Sequence, residues 1–225
     1  MLILCMSLME DSLADEVNLL VEQAPPYTEQ ARQDKGIISA RVIAAFEHSN
    51  VKVNLDFANW HQVEVEVDSN RQVSFMWVKT QPLMKKWLFS DPIYIQQNKF
   101  AVLTDTAPPV ARLHQLRGVK IGVTNGFSYG EGFDRYLPKL TVTRSDSDYQ
   151  TLNKLLNADV AMIAIDPPVA SDLYTKHFKQ YKPSKLKFIE APYLSQTEYF
   201  LVCSKQYGNC LNLIKKFNRG LAKNK

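Results

Sequence analysis

The chain has 225 residues, 45% hydrophobic and 22% charged, which suits one large domain or two small lobes with real cores. Twenty-seven bases face 23 acids, a net charge of +4, and so mild a balance does not by itself indicate nucleic acid. No low-complexity tract or internal repeat is visible, and eleven prolines with only eight glycines argue against a disordered chain.

The opening "MLILCMSLMEDSLA" is an apolar run followed by a small-residue site, with Ser12 at −3 and Ala14 at −1. It reads as the end of a secretory signal peptide without a basic n-region; the competing reading is a buried N-terminal helix. Cys5 lies in this leader, and no lipoprotein-type small-residue pair precedes it. Cleavage there removes two acids and leaves 27 bases against 21 acids, net +6. No other segment approaches the roughly 18 apolar residues of a membrane span.

Strand and helix patterns then alternate. "EVNLLVEQ" (16–23) reads as a strand ending at Pro25-Pro26. Residues 36–49 carry a helical stripe at Ile38, Val42, Ala45 and Phe46. Residues 51–58 alternate as a strand. Residues 59–70 are ambiguous, because Val63, Val65 and Val67 repeat at period two; a helix is preferred, since two parallel strands need an αβ connection. Residues 72–79 and 99–105 read as strands.

The pattern restarts with a strand in "LRGVKIGVTNG" (116–126), a short helix over 128–138 stopped by Pro138, and a strand over 140–145. A helix with an Asp cap follows over 146–158. "DVAMIAID" (159–166) is a fully apolar strand ending on an acid, and 167–178 is a helix whose prolines sit in its first turn. Residues 198–204 form a strand, and the last helix buries Leu213, Ile214, Phe217 and Leu221. Between them lies "CSKQYGNC". Its short loop, with Tyr207-Gly208-Asn209, is able to bring the Cys203 and Cys210 α-carbons to the ~5.5 Å that a disulfide needs. Beyond the leader, two nearby cysteines and no others fit an oxidising compartment; two free core thiols are the alternative.

Two restarted βα series give two α/β lobes. Ligands in such folds lie outside the carboxyl ends of strands. Tyr27, Lys79-Thr80, residues 125–129 and Asp166 follow such ends and are expected to line one cleft. Trp60 and Trp77 are further candidates, with Trp77 also reading as core. Asp166 is either a cleft ligand or the N-cap of the helix that follows it; the two prolines limit the cap role, because they donate no amide.

Several segments together resemble the periplasmic solute-binding proteins of the amino-acid-binding type (family 3, type II periplasmic binding fold). "APPYTE" resembles the opening strand end with its aromatic ligand-stacking residue. "FSDPIY" is similar to the motif near the first hinge. "LRGVKIGVTNGFSYGEGF" resembles the segment opening the second lobe, and "LNADVAMIAIDPPVA" the segment carrying the acid that meets a ligand ammonium. The resemblance runs from about residue 16 to the end.

It implies two lobes, each a mixed sheet flanked by helices and joined by two hinge strands: 15–103 plus 197–225, and 104–196. It also implies hinge closure on a small polar or amino-acid-like ligand in the periplasm, for an ABC permease or a membrane sensor, by a monomer with no cofactor. Tyr27 corresponds to the aromatic, Asp166 to the acid, and Ser128 to the second of two paired threonines that hold the ligand carboxylate. Phe127 replaces the first threonine. The arginine that grips the carboxylate corresponds to Leu83, which cannot bind an anion. Lys79 is the nearest substitute, a point charge without a planar fork, while Lys85 and Lys86 read as surface.

Catalytic signals are weak. His48, His61, His114 and His177 are scattered without metal-ligand spacing, and no Walker loop, dinucleotide fingerprint or nucleophile elbow is present. The basic C-terminal helix reads as a solvated face. The alternatives carried are a ligand-sensing or interaction module of this fold that binds no amino acid, and a periplasmic dehydratase-like enzyme using Glu131 or Asp166 as general acid.

Overall fold

A computed structural model of the chain describes residues 15–104, 107–181, 186–192 and 194–223. The leader expected over 1–14, with Cys5, lies outside the described residues. The chain divides into two compact units. One takes the chain up to Gln23, Gln30–Ile93 and the chain from Phe200 on; the other takes Ala24–Glu29 and Tyr94–Tyr199.

In the first unit, β1 (Asp15–Val21) pairs in parallel with β2 (Val51–Phe57), Val17 opposite Val53 and Leu19 opposite Leu55. Between them α1 (Ile37–Glu47) buries the expected stripe of Ile38, Val42, Ala45 and Phe46. Phe46 packs on Phe217 of α7 (Cys210–Lys223), ring centroids 4.9 Å apart. The helix preference over 59–70 holds as α2 (Trp60–Asp68), because Asn59 caps it by accepting from Gln62 N–H at 2.9 Å. Val63 and Val67, four apart, are buried and Val65 is exposed, so the period-two pattern is incidental.

Next come β3 (Ser74–Trp77), α3 (Gln81–Lys86) and β4 (Trp87–Phe89). The second half of β10 (Ser195–Ser204) lies antiparallel to both strands. Cys203 and Cys210 form a disulfide across the loop from β10 to α7, with α-carbons 6.0 Å apart.

The second unit holds β5 (Tyr94–Leu103), β6 (Lys120–Thr124), β7 (Thr141–Ser145), β8 (Met162–Ile165), β9 (Leu186–Ile189) and the first half of β10. The order is β10–β5–β8–β6–β7, with β9 also on β5. Pairs β6–β7 and β6–β8 are parallel, while β5 is antiparallel to β8, β9 and β10.

Successive residues face opposite sides of this sheet. Phe100, Val102, Ile121 and Val123 join Phe133 of α4 (Glu131–Tyr136) in one buried cluster. Ala101, Ile163 and Ile165 join Leu152 and Leu155 of α5 (Asp148–Leu156), and Ala170 of α6 (Pro167–His177), in another. Both faces are covered, which explains why β8 reads as a fully apolar run.

Two expectations need correction. The cap of α5 is Ser147, accepting from Gln150 N–H at 3.3 Å; Asp146 instead donates its own N–H to Gln150. The first crossing between units falls at Ile93/Tyr94, and the return at Tyr199/Phe200, where the sequence suggested residues 103/104 and 196/197. All of β5 therefore goes with the second unit, because its partners β8 and β9 do.

Candidate functional site

The second unit places its polar residues at the carboxyl ends of β6 and β8. Asp166 follows the last residue of β8 and is 5% exposed. It stands at the N-cap position of α6, yet its side chain makes no capping bond; Pro167 and Pro168 remove donors from the first turn. The carboxylate turns elsewhere. Oδ2 accepts from the Tyr27 hydroxyl and from Gln96 Nε2 at 2.8 Å. Oδ1 is buried and has no hydrogen-bond partner among the described residues, a costly state for a polar atom.

Tyr27 reaches Asp166 because Ala24–Glu29 packs with the second unit, although its flanks belong to the first. Ala24 N–H donates to the carbonyl and to the hydroxyl of Thr28, both at 2.9 Å, folding the segment on itself. The Tyr27 ring is buried against Tyr94, centroids 5.3 Å apart. Glu29 pairs with Lys176 of α6 at 3.0 Å. On the other side of Asp166, the Tyr199 hydroxyl donates to Gln96 Oε1 at 2.9 Å. Tyr199, Gln96, Asp166 and Tyr27 thus form one chain of hydrogen bonds.

Burial pushes the Asp166 carboxyl above the usual carboxylate range; the bonds from Tyr27 and Gln96 oppose this, and the charge of Asp148 adds to it. Asp148, at the start of α5, is also pushed up by burial, offset by a 2.6 Å bond from the Thr124 hydroxyl. Burial and the neighbouring Asp166 charge raise Tyr27 and Tyr199.

A pocket of about 440 Å³ opens beside this network, with Gln96, Asn98, Phe127, Ser128 and Tyr199 in its wall. That volume suits a small molecule. Phe127 is 57% exposed. Gly130 lets the wall close: its φ is +112°, and a Cβ there would stand 2.4 Å from the Leu194 carbonyl oxygen. Ser128 Oγ donates to Asp134 Oδ2 at 2.6 Å, and Tyr129 N–H donates to Asp134 Oδ1 at 3.1 Å.

Tyr27, Phe127, Ser128 and Asp166 therefore belong to the second unit. Trp60, Trp77, Lys79 and Thr80 belong to the first. There Trp60, 38% exposed, stacks on Trp77 at 4.0 Å, and Trp77 meets the edge of Trp87 at 4.5 Å. These are all the tryptophans of the chain. Leu83 packs against the same cluster. Lys79 Nζ lies over the rings of Phe89 and Phe200, and Thr80 caps α3. Lys86 pairs with Glu64 and Asp68.

Sequence reasoning missed Gln96, Tyr199 and Asp134. The two strand residues lie outside any strand-end loop, and no spacing rule links Ser128 to an acid six positions later. Among the described residues no His, Cys, Asp and Glu group could hold a metal ion, and no helix is long and apolar enough to cross a membrane.

No protein-family model matches the chain, and no curated protein matches its sequence. Solved structures share its fold. Substrate binding domain 2 of Lactococcus lactis GlnP, in an open conformation, is 21% identical with a TM-score of 0.74, over 93% of this chain and 89% of that one. The unliganded, open L-cystine solute receptor of Neisseria gonorrhoeae is 18% identical with a TM-score of 0.74, over 93% and 86%. ArtJ of Geobacillus stearothermophilus, an arginine-, lysine-, histidine-binding protein, is 18% identical with a TM-score of 0.55, over 93% and 89%. The chain has the two-lobed type II periplasmic binding fold, as its motifs implied.

Proposed function

We propose that the chain is a periplasmic solute-binding protein that captures a small polar ligand for an ABC permease, with Asp166 as its principal polar contact. Asp166 carries this reading. It is a buried carboxylate at a strand end with one oxygen satisfied twice and the other not at all. An acid kept only for structure would have both oxygens paired. A ligand cation at Oδ1 would complete it and recover the burial penalty. The Cys203–Cys210 disulfide agrees with an exported protein. Phe127 would supply apolar surface, whereas Trp77, 4% exposed, is core; hinge closure would follow from the ligand's preference for the closed form.

One observation favours the second reading, a sensing or interaction module that binds no amino acid. The Tyr27 hydroxyl already bonds Asp166, and Ser128 already bonds Asp134. A thermal-shift screen of amino acids, amines and small neutral solutes separates the two. Solute binding predicts a raised midpoint with at least one member, reduced by Asp166→Asn. No shift with any member supports the module.

A further inference from the structure

The pocket wall contains no lysine, arginine or histidine. Among the donors in it, the Ser128 hydroxyl and the Tyr129 amide both bind the chain's own Asp134, one to each oxygen. An internal carboxylate therefore takes two wall donors that a ligand carboxylate could use. Four bases of this unit are engaged. Arg135 pairs with Glu131, Lys176 with Glu29 and Asp172, Lys99 with Glu190, and Lys154 donates to the Arg144 carbonyl.

Asp134, Asp148 and Asp166 have no salt bridge among the described residues. Asp166 Oδ1, unpartnered and buried, belongs to a carboxylate bonded to the wall residue Gln96. The unit thus offers negative charge, amide and hydroxyl acceptors and the open face of Phe127, which attracts a cation. Its pocket wall holds no cationic side chain to neutralise an anion.

We propose that the ligand is a small aliphatic amine that carries no carboxylate. This rests on the solute-binding reading and narrows it. An α-amino acid whose carboxylate reached Ser128 and Tyr129 would meet Asp134, a like-charge juxtaposition that acts as selection against the wrong ligand. The decarboxylated amine keeps the cation for Asp166 and meets no such opposition.

The test is titration of the full chain with three pairs: agmatine and arginine, cadaverine and lysine, putrescine and ornithine. In at least one pair the amine is expected to bind at least about tenfold more tightly than its amino acid. The isosteric Asp134→Asn removes the opposing charge and is expected to reduce that preference at least about threefold. Amino acids that bind as tightly as their amines in every pair that binds, or a preference unchanged in Asp134→Asn, overturn the proposal while solute binding stands. So does binding of a neutral or anionic solute when none of the six binds. If no solute of any class binds, both readings fail.

Discussion

The Tyr27 hydroxyl donates to Oδ2 of Asp166, the same oxygen that receives Gln96 Nε2. This joins a six-residue excursion of the chain to the start of α6 and leaves Oδ1 without a partner. The carboxylate is held firmly enough to fix its position and remains incompletely satisfied.

Tyr27→Phe keeps the ring against Tyr94 and removes the donor. Urea unfolding should show a loss of about 1–3 kcal/mol, the usual cost of stripping a partner from a buried polar group. An unchanged midpoint would mean that the bond contributes nothing to the fold.

Asp166 also predicts a pH dependence. Its folded pKa is raised above the ordinary 3.8 by burial. Its contribution to stability is therefore fully present below 3.8 and lost as pH rises through the folded value. Asp166→Asn removes that titration, so the variant should gain stability relative to wild type across this window. Asp148 is raised in the same direction but is present in both proteins. A difference between them that stays flat with pH would contradict the assignment. Amine binding runs the other way: it needs the ionised acid, so affinity should fall as pH drops through the folded value.

Gly220 lies on α7 where that helix meets α1, and a Cβ there would stand 1.7 Å from the Ala45 carbonyl oxygen. Gly220→Ala should force the helices apart and cost about 1–3 kcal/mol or more. Denaturant unfolding at equal m-value checks it.

The Cys203–Cys210 bridge closes a short loop, with a sequence separation of 7. The loop-entropy relation gives a loss of about 2–3 kcal/mol on replacing both cysteines by serine. Both cysteines are buried, so modification by a thiol reagent should require reductant together with unfolding. Labelling of Cys203 or Cys210 in the unreduced folded protein would contradict the bridge.

Much of this was legible in the sequence where local pattern and tertiary demand agree. The α1 stripe, the apolar β8 and the acid ending it all read correctly, and the prolines after Asp166 explain why its side chain does not cap. Short elements hid. The α3 helix has six residues, a proline and no buried side chain, so no periodicity could mark it. The polar start of β5, Gln96 to Asn98, concealed a strand and two pocket residues. The packing of Tyr27 with the second unit depends on contacts distant in sequence, as does the bond from Ser128 to Asp134.

The most direct measurement is calorimetric titration of the full chain, wild type and Asp166→Asn, with the solute that gives the largest thermal shift. The account predicts one molecule bound per chain, with affinity at least about tenfold weaker in Asp166→Asn while Tyr27→Phe still binds. Equal affinity in wild type and Asp166→Asn, or no heat with any solute, would contradict the claim that Asp166 holds a ligand.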